Sequence, residues 1–224
     1  MKKISYWVFG ILTVIFIGLT VYHEIQIQNL KETHKIKYEK YSYPYDCMME
    51  AELNYLESKT SLVREVQNYI DKGAPTSNVR GYAIVDECEK YGVEICFVLA
   101  QAEIESHFGT KGLGSRFNNV FNVDVHDKVK GKKDMNKKYI YNYPNESIEP
   151  YLQLLINKYL VNKLESDLLI KYVDTNNSRY ASDPDYEEKL RSKYNNIVSS
   201  TNIENLQGQM RNYAIKCNRI WINR

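Results

Sequence analysis

The chain is poor in cysteine. Cys47, Cys88, Cys96 and Cys217 are scattered over 224 positions, and no two form a C-x-x-C pair. That excludes a disulfide-stapled miniprotein and a zinc ribbon. An excess of one charge is also missing. Lys and Arg total 30 against 28 Asp and Glu, a formal net charge of +2, and a dedicated nucleic-acid binder would carry a strong basic excess. His107 and His126 lack carboxylate or imidazole partners at ligand spacing, so no metal site is expected. There is no glycine-rich phosphate loop, no Ser-His-Asp or Cys-His set, and no repeat of solenoid length. Hydrophobic residues make up 43% and charged residues 26%, so the chain as a whole is not disordered. Tyrosine is abundant, at 20 residues, which codon bias alone can produce.

Long apolar runs are absent except at the start. After Lys2 and Lys3, residues 4–22 read ISYWVFGILTVIFIGLTVY, 19 positions without a charge. A helix of that length crosses ~30 Å of hydrocarbon. Tyr6, Trp7 and Tyr22 stand near its ends, where aromatic rings favour the interface. The run is longer than the apolar region of a signal peptide, and no small-residue cleavage site follows. The expectation is a retained transmembrane anchor over residues 1–25, inserted in the lipid bilayer through residues 4–22. Lys2 and Lys3 favour the N-terminus inside, although Lys31, Lys35 and Lys37 blur the bias. The bulk of the chain is therefore expected outside.

Residues 26–75 read as a stalk with a helical segment. Met48, Leu53, Leu56, Leu62, Val66 and Ile70 mark apolar positions over 46–72. GAPTSN (73–78) is a loop, and a globular domain is expected over 76–224. Within it, NVRGYAIVDECEKYG predicts a helix ending at Gly92. VEICFVLAQAEIESHFG predicts a second, apolar nearly all round and therefore central, with Gly109 just past its end. Cys88 and Cys96 flank the turn between them, close enough to suggest a disulfide. Residues 110–145 read as loop with a small β-hairpin, YIYNY being the best strand. SIEPYLQLLINKYL is helical, with Ser147 as cap and Pro150 in the first turn. SDLLIKYV is a short helix, and Asp183-Pro184 opens another. Ile203, Leu206, Met210, Tyr213, Cys217 and Ile220 recur at spacings of three and four, the pattern of an amphipathic helix. The fold class is mainly α with a small irregular or β lobe.

The chemistry-bearing candidates are Glu103 and Glu105, carboxylates embedded in the most apolar helix. Burial disfavours the charged form of a carboxyl, which is how an acid catalyst keeps its proton near neutral pH. A paired or surface-reaching carboxylate is the plainer alternative. Two positions along a helix turn the side chains about 200° apart, so the pair cannot share one task. Periodicity does not choose between them.

VLAQAEIESHFGTKGLGSRFNNVFNV resembles the signature of the bacterial and phage glucosaminidases with a lysozyme-like fold, glycoside hydrolase family 73. Its members read roughly A-Q-A-x-L-E-S/T-x-x-G, a short loop, then N-N-L-F-G. YIYNYPNESIEPYLQLL is similar to the family's Y-x-S-x-x-E-S-I-x-D-Y stretch, and RYASDPDYEEKL to its Y-A-T-D-P-x-Y-x-x-K-I/L element. The resemblance covers about residues 78–198. It implies a lysozyme-like helical domain that cleaves peptidoglycan glycan strands between N-acetylglucosamine and N-acetylmuramic acid, without a cofactor. It implies Glu105 as general acid, leaves Glu103 incidental and turns Tyr180 toward the cleft. Asn118, Asn119 and Phe121 match the N-N-x-F loop that shapes the cleft floor; with Tyr143 they are the substrate-binding candidates, Asn119 being the more structural of them. Two departures stand out. Asn122 replaces the glycine of N-N-L-F-G, and asparagine tolerates the left-handed conformation. The second carboxylate is not assignable among Asp124, Asp127 and Asp134; Asp134 is the candidate base, and the substrate's acetamide group offers another route. Six lysines between Lys128 and Lys138 read as a solvated hairpin or as an attractor of wall anions. The rivals are muramidase or lytic transglycosylase chemistry, a non-catalytic wall-binding protein, and a phage lysis or virion component.

Overall fold

The structure, a computed structural model, describes Tyr22 and residues 24–32, 49–124, 132–133 and 139–222. Most of the expected membrane segment, residues 4–22, lies outside the described residues. Among those described, no helix is long and apolar enough to cross a membrane. The chain divides into two units. One comprises Met1–Glu52 with Lys216–Arg224, where residues 24–32 are helical; the other is Leu53–Ile215.

The larger unit begins earlier than expected. Helix α1 covers 49–73, and its Leu62, Val66 and Ile70 are fully buried. They are spaced by four, so they form one stripe along the helix. The segment expected as stalk therefore belongs in part to the core, which corrects the boundary at residue 76. Helix α2, Gly81–Tyr91, buries Ile84, Val85 and Cys88 and stops at Gly92, whose φ of 69° is left-handed. Its first residue lies against α1: a Cβ on Gly81 would come within 2.8 Å of the Gln67 backbone nitrogen.

Helix α3, Ile95–Ser106, buries every residue from Ile95 to Ala102, as its lack of a polar face predicts. It ends earlier than Gly109. His107 caps it at φ 51°, and Phe108 and Gly109 continue left-handed at 55° and 74°. The chain thus reverses over three residues, not at one glycine. Cys88 and Cys96 are both buried and free. The suggested disulfide is absent, and burial pushes the Cys96 thiol up to about 12.

Helix α4, Gly112–Phe117, is short. The β lobe contains an antiparallel pair, β1 Lys132–Lys133 with β2 Tyr139–Ile140, in the register Lys132↔Ile140. A 3₁₀ turn, Pro144–Ser147, leads into α5, Ile148–Leu154, and a π turn, Leu155–Tyr159. Ser147 does not cap this helix. Its hydroxyl donates to the Pro144 carbonyl at 2.7 Å and accepts from the Val120 N–H at 3.1 Å, tying two loops together. Helices α6, Glu165–Leu168, α7, Tyr186–Ser200, and α8, Ile203–Ile222, complete the order. Asp183 lies ahead of α7 without capping it; its carboxylate accepts from the Asp185 N–H and pairs with Lys189. Helix α3 packs against α7, and the face between them frames the site.

Candidate active site

The last turn of α3 is held from three sides. Ser106 is buried, and its hydroxyl donates to the Val120 carbonyl at 2.6 Å while accepting from the Gly109 N–H at 2.8 Å. Gly114 of α4 presses against it: a Cβ there would fall 2.2 Å from the Ser106 Cβ. The loop 118–123 then folds back beneath the helix end. Asn118, left-handed at φ 51°, donates its amide to the carbonyls of Tyr141 and Asn142 at 3.1 and 3.0 Å. Asn119 is 1% exposed. It donates to the carbonyls of Val123 and Tyr139, and its oxygen accepts from the Val123 N–H. These bonds brace the loop from within the protein. Phe121 is 0% exposed and stacks on Tyr151, centroids 3.8 Å apart. Its ring is a support, and the substrate contact expected of that ring is corrected.

Glu105 stands half-buried at this junction. Its Oε1 accepts from the Tyr186 hydroxyl at 2.6 Å. The Asn122 amide donates to the Glu105 backbone carbonyl at 2.5 Å and lies 3.4 Å from Oε2. Asn122 has φ 51°, so the turn that replaces glycine with asparagine keeps the left-handed backbone. Tyr186 is the first residue of α7. Burial, and after it the Glu105 charge, raises its phenol well above the ordinary range, so it remains a donor.

Tyr180 lies beside this pair. A turn built on Asp174, whose carboxylate accepts from the N–H groups of Asn176 and Ser178, folds the chain back on itself. The Tyr180 N–H then reaches the Tyr172 carbonyl at 2.9 Å, and the two rings stack with centroids 4.4 Å apart. The Tyr180 hydroxyl donates to the Phe121 carbonyl at 3.3 Å, which ties it to the turn that carries Asn122. Tyr143 is 69% exposed at the start of the 3₁₀ turn, open to a ligand. Asp134 and Asp127 lie outside the described residues, and Asp124 is half-buried at the end of the described loop.

Glu103 faces elsewhere. It pairs with Lys193 of α7 at 2.5 Å and accepts from the Tyr69 hydroxyl of α1 at 2.7 Å. It lines a cleft of about 430 Å³ with Glu65, Tyr69, Lys72 and Asn196. It is the paired carboxylate of the two. Tyr186 and Asn122 are the contacts that sequence reasoning missed. Tyr186 closes the same Y-A-S-D-P-D-Y element that Tyr180 opens, which was the available signal. Among the described residues no group of His, Cys, Asp and Glu is arranged to hold a metal.

No curated protein matches the chain. The glucosaminidase family, described as mannosyl-glycoprotein endo-beta-N-acetylglucosaminidase, matches residues 81–198. That match runs from the start of α2 almost to the end of α7 and takes in Glu105, the loop beneath it and both tyrosines. It covers more than half of the sequence, so the chain belongs to the glucosaminidase family, whose members are glycoside hydrolases of peptidoglycan, and is itself a glycoside hydrolase.

Proposed function

We propose that the protein hydrolyses the β-1,4 bond between N-acetylglucosamine and N-acetylmuramic acid in peptidoglycan, with Glu105 as general acid. The observation that carries this reading is the setting of Glu105. It stands in the last turn of a helix buried from Ile95 to Ala102, is only half-buried itself, and has its carboxyl contacted by Tyr186 and Asn122. A proton donor works when geometry presents it to the leaving oxygen. Glu105 protonates that oxygen as the glycosidic bond breaks, and water adds to the anomeric carbon. Tyr180, a carboxylate of the β lobe such as Asp134, or the substrate's own acetamide assists that addition. Tyr143 offers an exposed ring on which a sugar face packs. Asn118 shapes the floor through its bonds to the 141–142 backbone.

The reading places the enzyme at the membrane, anchored by residues 4–22 with the catalytic unit on the wall side. Fractionation of cells making the full chain tests the anchor, and recovery with the soluble proteins overturns it. For the chemistry, the full-length protein and Glu105→Gln are compared on purified cell wall. The amide substitution is expected to lower the rate by at least about 10²-fold, the range of general acid catalysis. Unchanged clearance sinks the assignment. Products ending in reducing N-acetylglucosamine fit the proposed bond. Reducing or anhydro N-acetylmuramic acid would indicate muramidase or transglycosylase chemistry instead.

A further inference from the structure

Asn122 stands where the resembling signature has glycine. A glycine there supplies the turn and nothing more. Asparagine adopts the same left-handed backbone, φ 51°, and returns an amide to the end of α3. Its Nδ2 donates to the Glu105 carbonyl at 2.5 Å and lies 3.4 Å from Glu105 Oε2. The carbonyl fixes which way the amide points, because an amide oxygen facing another oxygen at that distance would be repelled. The Glu105 carbonyl is also among the last four of α3, which a helix leaves without intrahelical donors. One side chain thus meets the backbone and the carboxyl of the same glutamate.

We propose that Asn122 is a positioning residue for Glu105, clamping its carbonyl and carboxyl together so that the side chain leaves the helix end in one orientation, Oε1 toward Tyr186 and Oε2 toward Asn122. The inference rests on the reading of Glu105 as the acid. Among the described residues, the groups that face this carboxyl include Tyr186, at the start of α7, and Tyr180 and Tyr172 in the chain before it. Burial holds all three phenols above their ordinary range, so none titrates where a carboxyl does.

An N–H directed at a carboxylate favours its charged form. Removing it lets the carboxyl keep its proton to higher pH, and a general acid is active while protonated. The pH–rate profile of glycan hydrolysis, followed by release of reducing ends, is measured for the full-length protein, Asn122→Gly, Asn122→Asp and Glu105→Gln. Asn122→Gly suits the backbone and is expected to move the alkaline limb up by about half a pH unit. It lowers the plateau kcat about threefold, since the carboxyl is less well oriented, with KM unchanged. Asn122→Asp keeps the size and the left-handed tolerance but sets a second negative charge beside Oε2. It is expected to move the limb up by about a full unit.

Thermal unfolding of each variant accompanies the rates. If both Asn122 variants keep the wild-type limb while Glu105→Gln is inactive, the proposal is overturned and the acid assignment stands. A uniform loss of rate at all pH values, with lowered thermal stability and no movement of the limb, makes the amide a helix support and also overturns it. An active Glu105→Gln overturns the acid assignment and this inference with it.

Discussion

Glu103 and Glu105 share a helix, and their surroundings separate them. Glu103 is neutralised by Lys193 and bonded by Tyr69; Glu105 meets a phenol and an amide. A carboxylate already engaged by a cation and a phenol suits a structural pair more than a proton donor. The Tyr186 contact to the Glu105 carboxyl is shorter than that of Asn122, 2.6 Å against 3.4 Å. Tyr186→Phe removes one hydrogen bond to a charged group at little cost in packing. It is expected to lower kcat roughly tenfold, the equivalent of about 1.4 kcal/mol. The sign of its pH effect follows from the donor's role. Without the hydroxyl the carboxyl is less stabilised as the anion, so the acid form persists to higher pH and the alkaline limb rises. Steady-state rates across pH check this, and an unchanged kcat and limb would remove Tyr186 from the site. Spacing alone separated the two glutamates by face. It could not say which faced a cation, because Lys193 and Tyr186 both come from α7, about 80 to 90 residues further along the chain.

At the scale of elements, the site depends on a crowded crossing. The end of α3, the start of α4 and the loop 118–123 pass so closely that Gly114 has no room for a methyl group, with Ser106 Cβ 2.2 Å and the Asn119 carbonyl 3.1 Å from where it would sit. Gly114→Ala should therefore force α4 away from Ser106 and is expected to destabilise the protein by about 3 kcal/mol, at the upper end of overpacking costs. Denaturant unfolding measures this; stability equal to wild type would mean the crossing is looser than described. The helices themselves were largely legible, since their apolar spacing is local. Their ends were less so. Gly109 looked like the stop of α3, yet His107 and Phe108 already take left-handed conformations. The driving contact is Ser106 with Val120, fourteen residues away, and a contact that distant leaves no mark on local propensity. Ser147 looked like a cap for the same reason and is instead a tie between loops.

At the scale of the whole molecule, the boundary of the catalytic unit carries the lesson. A loop at 73–78 suggested a domain start at 76, but Leu62, Val66 and Ile70 of α1 are fully buried in the core. A fragment over 76–224 loses all three, at about 2 kcal/mol or more each, comparable with the whole stability of a small domain. It is expected to remain unfolded or aggregate, while a fragment over 53–215 folds and unfolds cooperatively. Circular dichroism and thermal scans of the two compare them, and equal stability would return α1 to the stalk. The apolar stripe was visible in the sequence; its partner was not, because amphipathic helices look alike whether they cover a core or stand apart.

Both tryptophans, Trp7 and Trp221, fall outside Leu53–Ile215. Ultraviolet emission from that fragment would be dominated by phenol rings, with no indole present. Tyr159, Tyr172, Tyr180 and Tyr186 stand with neighbouring centroids 4.4–6.1 Å apart. Their coupled transitions should dominate the near-ultraviolet dichroic spectrum, a signal that vanishes when fixed side-chain packing is lost. The fragment thus carries an optical reporter beside Glu105, readable without an added label.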